Sequence, residues 1–147
     1  MYKIDKILVG THNKGKFREI SDLLPSKVKK ISPQDFNLES PIEDGKTFIE
    51  NSEIKAIFFC QKTKLITLSD DSGLEIDCLG GQPGIFSSRW AEEYGNFDNA
   101  MTEILNKVKK SNKGTEAQFV SSLTILWPNG KKITEVGKIR RWKFHSK

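Results

Sequence analysis

The chain has 147 residues, of which 36% are hydrophobic and 29% are charged, and its formal net charge is +5. This length and composition are typical of one globular domain and argue against intrinsic disorder or a fibrous protein. The sequence contains no apolar run near the roughly 20 residues that span a bilayer, and its start lacks a signal-peptide pattern. We therefore expect a cytoplasmic protein without a membrane partner.

The positive charge is concentrated near the C-terminus. Residues 131–147 contain seven Lys or Arg residues and one acid, so this segment carries +6 and the first 130 residues carry −1. A short basic segment does not predict a nucleic-acid-binding surface on the body of the protein, so we expect no nucleic-acid partner. The alternative is single-strand binding by the tail, with Trp142 and Phe144 as stacking groups. It requires salt-sensitive binding that is lost on deleting residues 140–147.

The N-terminal third alternates strand and helix patterns. A β-branched run from Lys6 to Thr11 predicts a strand, and apolar residues on one face of Lys16 to Leu24 predict a helix. Lys27 to Ile31 is a candidate second strand. The following stretch, Ser32 to Lys46, contains Pro, Gly and several acids, which predicts an exposed loop.

The middle of the chain continues the alternation. Thr47 and Glu50 have the spacing of a capping box, which predicts the start of a helix that reaches about Lys62. Leu65 to Ser69 is the next predicted strand. Gly73 then separates it from another, Leu74 to Cys78, and the glycines of GGQPG predict a turn with special backbone angles.

The C-terminal third contains one more amphipathic helix and a hairpin. Apolar residues between Phe97 and Val108 recur at helical spacing, and Phe119 to Trp127 is the longest strand candidate. Pro128 to Gly130 predicts a hairpin turn into Lys132 to Val136. Because helices and strands interleave, we predict an α/β domain with a mixed twisted sheet flanked by helices.

The string GTHNKGK, from Gly10 to Lys16, joins the first predicted strand to the first predicted helix. Free amides at a helix start attract phosphate, and the side chains of Thr11, Asn13 and Lys16 add donors and positive charge. The spacing matches a P-loop, except that Phe17 replaces the hydroxyl residue that binds magnesium there. A metal ion would therefore need carboxylates from elsewhere. The alternative is a polar turn with a solvated lysine.

Two adjacent acids lie in SDDSG, residues 69–73, between two predicted strands. Neighbouring carboxylates repel each other unless a cation or a donor compensates, and oxygen ligands of this type suit magnesium. Because side chains alternate along an extended backbone, we expect Asp70 and Asp71 to point in opposite directions and to have different roles. The alternative is a turn whose acids cap backbone amides.

Two further segments supply candidate partners for this site. Glu43 and Asp44 stand beside Gly45, and Lys55 follows Asn51 by four residues on the same helix face. From there the Lys55 ammonium could reach phosphates or the two acids. The alternative is a solvated charge on the helix surface.

Three ordered strings carry a family resemblance. They are THNKGK before a helix, EDGKTFIENSEIKA at residues 43–56, and SDDSGLEIDCLGGQPGIFSSRWA at residues 69–91. Together they resemble the inosine triphosphate pyrophosphatase family. The resemblance implies Mg²⁺-dependent hydrolysis of ITP, dITP and XTP to the monophosphate and pyrophosphate, which cleanses the nucleotide pool, and a homodimer.

The resemblance also implies roles for individual residues. Asp71 would bind the metal and act as the general base, and Glu43 would be a second metal ligand. Lys55 would neutralise charge that develops on the phosphates, Asp70 would support the site indirectly, and Ser72 would lie beside the substrate. The residues that would cradle the triphosphate are Thr11, His12, Asn13, Lys14, Gly15 and Lys16.

The resemblance ends near Ile139. Family members continue through a GFGYDP segment and a Ser-His-Arg segment that hold the purine, and this sequence contains neither string. We therefore expect residues 1–139 to form an incomplete pyrophosphatase domain and residues 140–147 a divergent basic tail. A second hypothesis is a catalytically impaired nucleotide-binding remnant, which would bind triphosphate with metal but not turn it over.

Overall fold

A computed structural model of the protein describes residues 4–143, so the last four residues of the predicted tail, Phe144 included, lie outside the described residues. Within that range five strands form one sheet, in the spatial order β2-β1-β3-β4-β5. The strands are β1 Lys6–Val9, β2 Lys29–Ile31, β3 Thr67–Ile76, β4 Glu116–Leu126 and β5 Lys132–Lys143. The α-helices of the described residues are α1 Lys14–Leu23, α2 Phe48–Thr63, α3 Ser87–Glu93 and α4 Phe97–Ser111.

The sheet is mixed, as predicted. Strand β1 pairs in parallel with both β2 and β3. Strands β4 and β5 are neighbours joined by a short turn, in which the Gly130 amide donates to the Trp127 carbonyl, and such a connection makes them antiparallel. The prediction of an α/β domain is therefore confirmed. None of the helices among residues 4–143 is long and apolar enough to cross a bilayer.

Most predicted elements are present, and the main error concerns β3. Two strands separated at Gly73 were expected, but one unbroken strand runs from Thr67 to Ile76. The alternative that residues 69–73 form a turn is also wrong. Strand β3 lies between β1 and β4, so hydrogen bonds to its neighbours outweigh the roughly 0.5–1 kcal/mol cost of an internal glycine. Helix α3 was not predicted, because seven residues are too short for a periodic pattern.

One compact unit comprises the chain up to Asp71 together with Ser122–Glu135. The connection from β1 through α1 leads to β2, on one side of β1. The connection from β2 through α2 runs in the opposite direction across the sheet, to β3. Because such connections are right-handed, the two helices lie on opposite faces of the sheet. The core on the α1 side includes Ile7, Val9, Leu68, Phe17 and Ile20. Burial of these apolar side chains fixes α1, and with it the loop that precedes α1.

Helix α2 is anchored to the sheet through buried hydroxyl groups. Ser52 Oγ lies 2.9 Å from both Ser122 Oγ and Thr124 Oγ1. Thr124 Oγ1 lies 3.0 Å from Thr134 Oγ1, which donates to Glu53 Oε1 at 3.3 Å. Because a carboxylate and a backbone carbonyl only accept, the Thr134 proton points to Glu53 and the Ser52 proton points to the Ile49 carbonyl oxygen at 3.0 Å. Ser52 Oγ can therefore accept from Ser122, and Thr124 can donate to Ser52 or to Thr134.

Replacing Ser52 by Ala is expected to destabilise the protein by about 1–3 kcal/mol, because two buried hydroxyls lose a partner. Ser88→Ala is the matched control, since Ser88 is an exposed helical serine. Urea denaturation of both variants measures the difference in the free energy of unfolding. Equal stability of the two variants would contradict a structural role for the hydroxyl group of Ser52.

The second compact unit comprises Ser72–Ser121 and the chain from Val136. Its core is formed by the apolar face of α4 and by residues of β3 and β4, namely Ile76, Ile104, Val108 and Ala117. The glycine-rich turn after β3 is present as predicted. Gly80 and Gly81 have φ angles of 66° and 88°, a region that side chains with a Cβ disfavour.

Candidate active site

The candidate site lies where β1 ends, within the first compact unit. The register pairs Val9, the last residue of β1, with Leu68, so β3 continues beyond β1 and carries Asp70 and Asp71 past this edge. The connections leave β1 and β3 in opposite directions, and ligands of open α/β sheets bind at such a switch point. The topology therefore brings together the loop and the acids that the sequence analysis identified separately.

The loop after β1 is organised as the start of a helix. Asn13 caps α1 by accepting a hydrogen bond from the Lys16 amide at 3.1 Å, and the Asn13 amide donates to Thr11 Oγ1 at 3.1 Å. The amides of Lys14 and Gly15 lie in the first turn, where no carbonyl stands one turn earlier to accept from them. This arrangement leaves donors and the positive helix end for an anion.

Asp70 forms an ion pair with Lys16, which lies in the first turn of α1. Lys16 Nζ lies 3.1 Å from Asp70 Oδ2, and the Asp70 side chain is only 7% exposed. A buried carboxylate with this partner restrains the lysine ammonium at one position beside the loop. Asp70 thus contacts a residue of the loop, whereas its neighbour Asp71 faces other groups, as the alternation along β3 requires.

Asp71 is a buried carboxyl group whose ionisation is disfavoured. Burial, and secondarily the negative charge of Glu43, raise the pKa of Asp71 to about 6, although Lys55, Asn51 and Lys16 act in the opposite direction. Asp71 Oδ2 is buried, and no group in the described part of the chain forms a hydrogen bond with it. A cation at this oxygen would relieve both the desolvation and the repulsion.

Asn51 connects the segments that carry the two acids. Its Oδ1 accepts a hydrogen bond from the Gly45 amide at 2.8 Å, its side chain also bonds to Asp71, and it is 3% exposed. Lys55, one turn later, lies 3.4 Å from Glu43 Oε1. The sequence analysis used Asn51 only to place Lys55. Its position on the same helix face as Lys55 was the available signal that it belongs to the site.

The residues present fit a hard divalent ion. Asp71 and Glu43 supply carboxylate oxygens, one of them the buried Asp71 Oδ2 described above. Among residues 4–143 no group of three or more His, Cys, Asp or Glu side chains could hold a metal ion. A magnesium ion commonly takes one or two carboxylates and completes its octahedron with water and substrate phosphate, so two acids are compatible with it.

His12 and Ser72, two of the predicted substrate-binding residues, have different surroundings. The ring nitrogens of His12 both lie within 2.7 Å of protein groups: Nε2 is near the Leu38 carbonyl oxygen and Nδ1 is near Ser40 Oγ. Ser72 directly follows Asp71 in β3, is half-buried, and is the first residue of the second compact unit. The remaining predicted residues of the loop, Lys14 and Gly15, are exposed.

Fold and site together define a class of protein: an α/β chain with an anion-binding loop after its first strand and carboxylates at the adjacent switch point. The model of the Ham1 family matches residues 7–140, so the chain belongs to the Ham1 family. The family resemblance found in the sequence is thereby confirmed.

The chain is similar to proteins named dITP/XTP pyrophosphatase. It is 41% identical to the one from Zymomonas mobilis over 128 residues, which cover 85% of this chain and 61% of that protein. Identity to the one from Rhizobium meliloti is 43% over 136 residues, which cover 86% and 64%. The chain thus spans less than two thirds of the length of these curated relatives.

Solved structures support the fold. A HAM1 protein from Coxiella burnetii superposes with a TM-score of 0.83 at 29% identity, covering 92% of this chain and 71% of that one. A nucleoside-triphosphatase / dITP/XTP pyrophosphatase from Mycobacterium abscessus gives 0.78 at 32% identity, covering 92% and 72%. The mixed sheet flanked by helices is therefore the fold of this family.

Proposed function

We propose that the protein hydrolyses ITP, dITP and XTP to the nucleoside monophosphate and pyrophosphate, and so removes abnormal purine nucleotides from the nucleotide pool. The observation that carries this proposal is the position of a helix-start anion loop beside Asp71, Glu43 and Lys55 in one compact unit. The names of the relatives from Zymomonas mobilis and Rhizobium meliloti support the substrate class.

The loop would bind the triphosphate. The first-turn amides of α1 donate to phosphate oxygens, and the Lys16 ammonium, restrained by Asp70, adds positive charge. Lys55 has a side chain that is only 12% exposed; its ammonium lies 3.4 Å from Glu43 Oε1 and interacts electrostatically with the Asp71 carboxyl group. There its charge opposes the negative charge that develops as the bond between the α- and β-phosphates breaks.

Asp71 and Glu43 would hold Mg²⁺, which when bound polarises phosphate oxygens and acidifies water. The buried Asp71 Oδ2, which has no hydrogen-bond partner among residues 4–143, would be the ligand atom, and the other oxygen of the carboxylate would accept a proton from the attacking water. The pKa of about 6 belongs to the metal-free protein; a bound cation would lower it and keep the carboxylate ionised, which is the form that accepts a proton. Asn51 orients the Asp71 carboxyl group, and Ser72 would contact the substrate.

The remaining parts of the proposal concern the assembly. We propose a cytoplasmic homodimer, which uses neither nucleic acid nor a membrane as a partner. Residues 1–139 would carry the pyrophosphatase domain and residues 140–147 a divergent basic tail. These parts rest on the family resemblance and on the distribution of charge along the sequence.

Product analysis tests the proposal. The purified protein is incubated with Mg²⁺ and, separately, dITP, XTP and ATP, and the products are separated by ion-exchange chromatography. We expect equal amounts of monophosphate and pyrophosphate from dITP and XTP, and much less from ATP. Release of orthophosphate and the nucleoside diphosphate instead would exclude a pyrophosphatase.

The same samples distinguish an active pyrophosphatase from the second hypothesis, a catalytically impaired nucleotide-binding remnant. Metal-dependent binding of dITP by a folded protein that releases no product would favour the nucleotide-binding remnant. Equal hydrolysis of dITP and ATP would retain the reaction but contradict the proposed selectivity for abnormal purines.

A further inference from the structure

The segment that carries Glu43 is attached to other elements on both sides of Glu43. We call residues 38–46 the Glu43 strap. On the C-terminal side, the Gly45 amide donates to Asn51 Oδ1 at 2.8 Å, and the Lys46 amide donates to Glu50 Oε2 at 2.7 Å. These two bonds attach the strap to the first turn of α2.

On the N-terminal side the strap is attached to the anion loop through His12. The Leu38 carbonyl oxygen can only accept, so the His12 Nε2 must carry the proton in this 2.7 Å bond. In the neutral ring Nδ1 is then an acceptor, and the Ser40 hydroxyl donates to it at 2.7 Å. The tautomer of the ring is thus fixed by the strap, and no ring nitrogen remains for a phosphate.

The ring of His12 is also supported from the α2 side. Its centroid lies 5.9 Å from that of Phe59, and Phe59 is fully buried. The main chain of His12 lies between buried Thr11 and the cap residue Asn13. A displacement of the loop would therefore move the histidine ring, and the ring would move the strap.

We propose that His12 is a positioning residue that couples the anion loop to Glu43. The inference rests on the proposed function, because it assigns Glu43 to the metal and the loop to the triphosphate. Binding of a polyphosphate at the loop stabilises the strap and hence the position of Glu43. By linkage, an ion held at Glu43 strengthens polyphosphate binding by the same factor.

Hydrogen exchange measures this coupling without metal or turnover. Peptides that cover the strap are analysed by mass spectrometry in EDTA, with and without inorganic tripolyphosphate as the probe. In the wild-type protein, tripolyphosphate should slow exchange of the strap amides. In His12→Ala the same amides should exchange about tenfold faster and should no longer respond to tripolyphosphate, because two hydrogen bonds are lost.

Two further variants separate coupling from a general loss of structure. His12→Gln retains a donor for the Leu38 carbonyl and an acceptor for the Ser40 hydroxyl, so it should restore the wild-type response. Ser40→Ala removes one bond and should have an intermediate effect. Peptides from α4 serve as an internal control, and their exchange should not change.

The kinetic readout follows from the same coupling. In His12→Ala both the Mg²⁺ concentration for half-maximal activity and the KM for dITP should rise, and His12→Gln should reverse both changes. Strap exchange that is identical in the wild-type protein and in His12→Ala would overturn the inference. If the wild-type protein hydrolyses nothing, the proposed function fails, and the exchange experiment still decides whether His12 couples loop and strap.

Discussion

Replacing Asp71 by Asn is expected to abolish hydrolysis while it stabilises the metal-free protein above pH 6. Activity should fall because the amide can neither accept the proton of the attacking water nor hold a divalent ion as a carboxylate does. Loss of both roles at one residue predicts a decrease in kcat/KM of at least about 1,000-fold. Chromatographic detection of pyrophosphate from dITP measures it.

The effect on stability has the opposite sign because the pKa of Asp71 is raised in the folded protein. Between the ordinary value of 3.8 and about 6, the folded state binds more protons at this group than the unfolded state. The free energy of unfolding therefore falls as the pH rises through this window, and the full loss is present above pH 6. After discounting for partial solvent screening, the loss is about 1–2 kcal/mol.

Asp71→Asn removes this loss. In EDTA at pH 8 the variant should melt about 3–6 °C above the wild-type protein, and the two melting temperatures should converge near pH 4. Added Mg²⁺ should reverse the order, because only the wild-type carboxylates bind the ion and gain stability from it. The exposed acid Asp5 provides the control: Asp5→Asn should change neither the activity nor the pH dependence. A lower melting temperature for Asp71→Asn in EDTA at pH 8 would contradict this account.

Local patterns predicted most of the elements, because local interactions determine them. Thr47 accepts a hydrogen bond from the Glu50 amide at 3.0 Å, as the capping-box spacing predicts. The other half of the box differs, since the Glu50 carboxylate accepts from the Lys46 amide. The spacing predicted the residue at which the helix begins, but it could not predict which amide of the preceding segment would donate to the Glu50 carboxylate.

Errors occurred where distant partners decide the structure. Gly73 interrupts a local strand pattern, yet β3 continues through it because β1 and β4 pair with β3 on either side. The link between His12 and Ser40 joins residues 28 positions apart, and no spacing rule connects them. Motif strings predicted the candidate site, whereas the positioning roles of Asn51 and His12 depend on hydrogen bonds to Gly45 and Ser40 that form only in the folded chain.

Replacing Gly10 by Ala is expected to cost about 3 kcal/mol, a large fraction of the stability of a domain of this size. A Cβ at this position would overlap Ser69 Oγ and would lie 2.7 Å from Phe59 Cδ2. Ser69 and Phe59 are 1% and 0% exposed, so neither side chain can move aside into solvent. The Gly10 backbone cannot shift easily either, because its amide donates to the Leu68 carbonyl at 2.7 Å.

Gly137→Ala is the matched control, because a Cβ at Gly137 would meet no atom within 4 Å. Urea denaturation should give a stability within about 0.5 kcal/mol of wild type for this variant and a clear loss for Gly10→Ala. Similar urea midpoints for the two variants would show that the space around Gly10, between Ser69 of β3 and Phe59 of α2, can accommodate a Cβ.

A double-mutant cycle with Ser69 tests the physical cause of the loss. Ser69 Oγ is buried, and it has no hydrogen-bond partner in the range that the structure describes, so Ser69→Ala alone should be close to neutral. It also removes the atom that a Cβ at Gly10 would overlap. The Gly10→Ala/Ser69→Ala variant should therefore recover about 1 kcal/mol relative to Gly10→Ala. If the two changes in the free energy of unfolding are strictly additive, the cost of Gly10→Ala arises instead from the contact with Phe59 and from the backbone. Stability should then recover when Gly10→Ala is combined with Phe59→Leu.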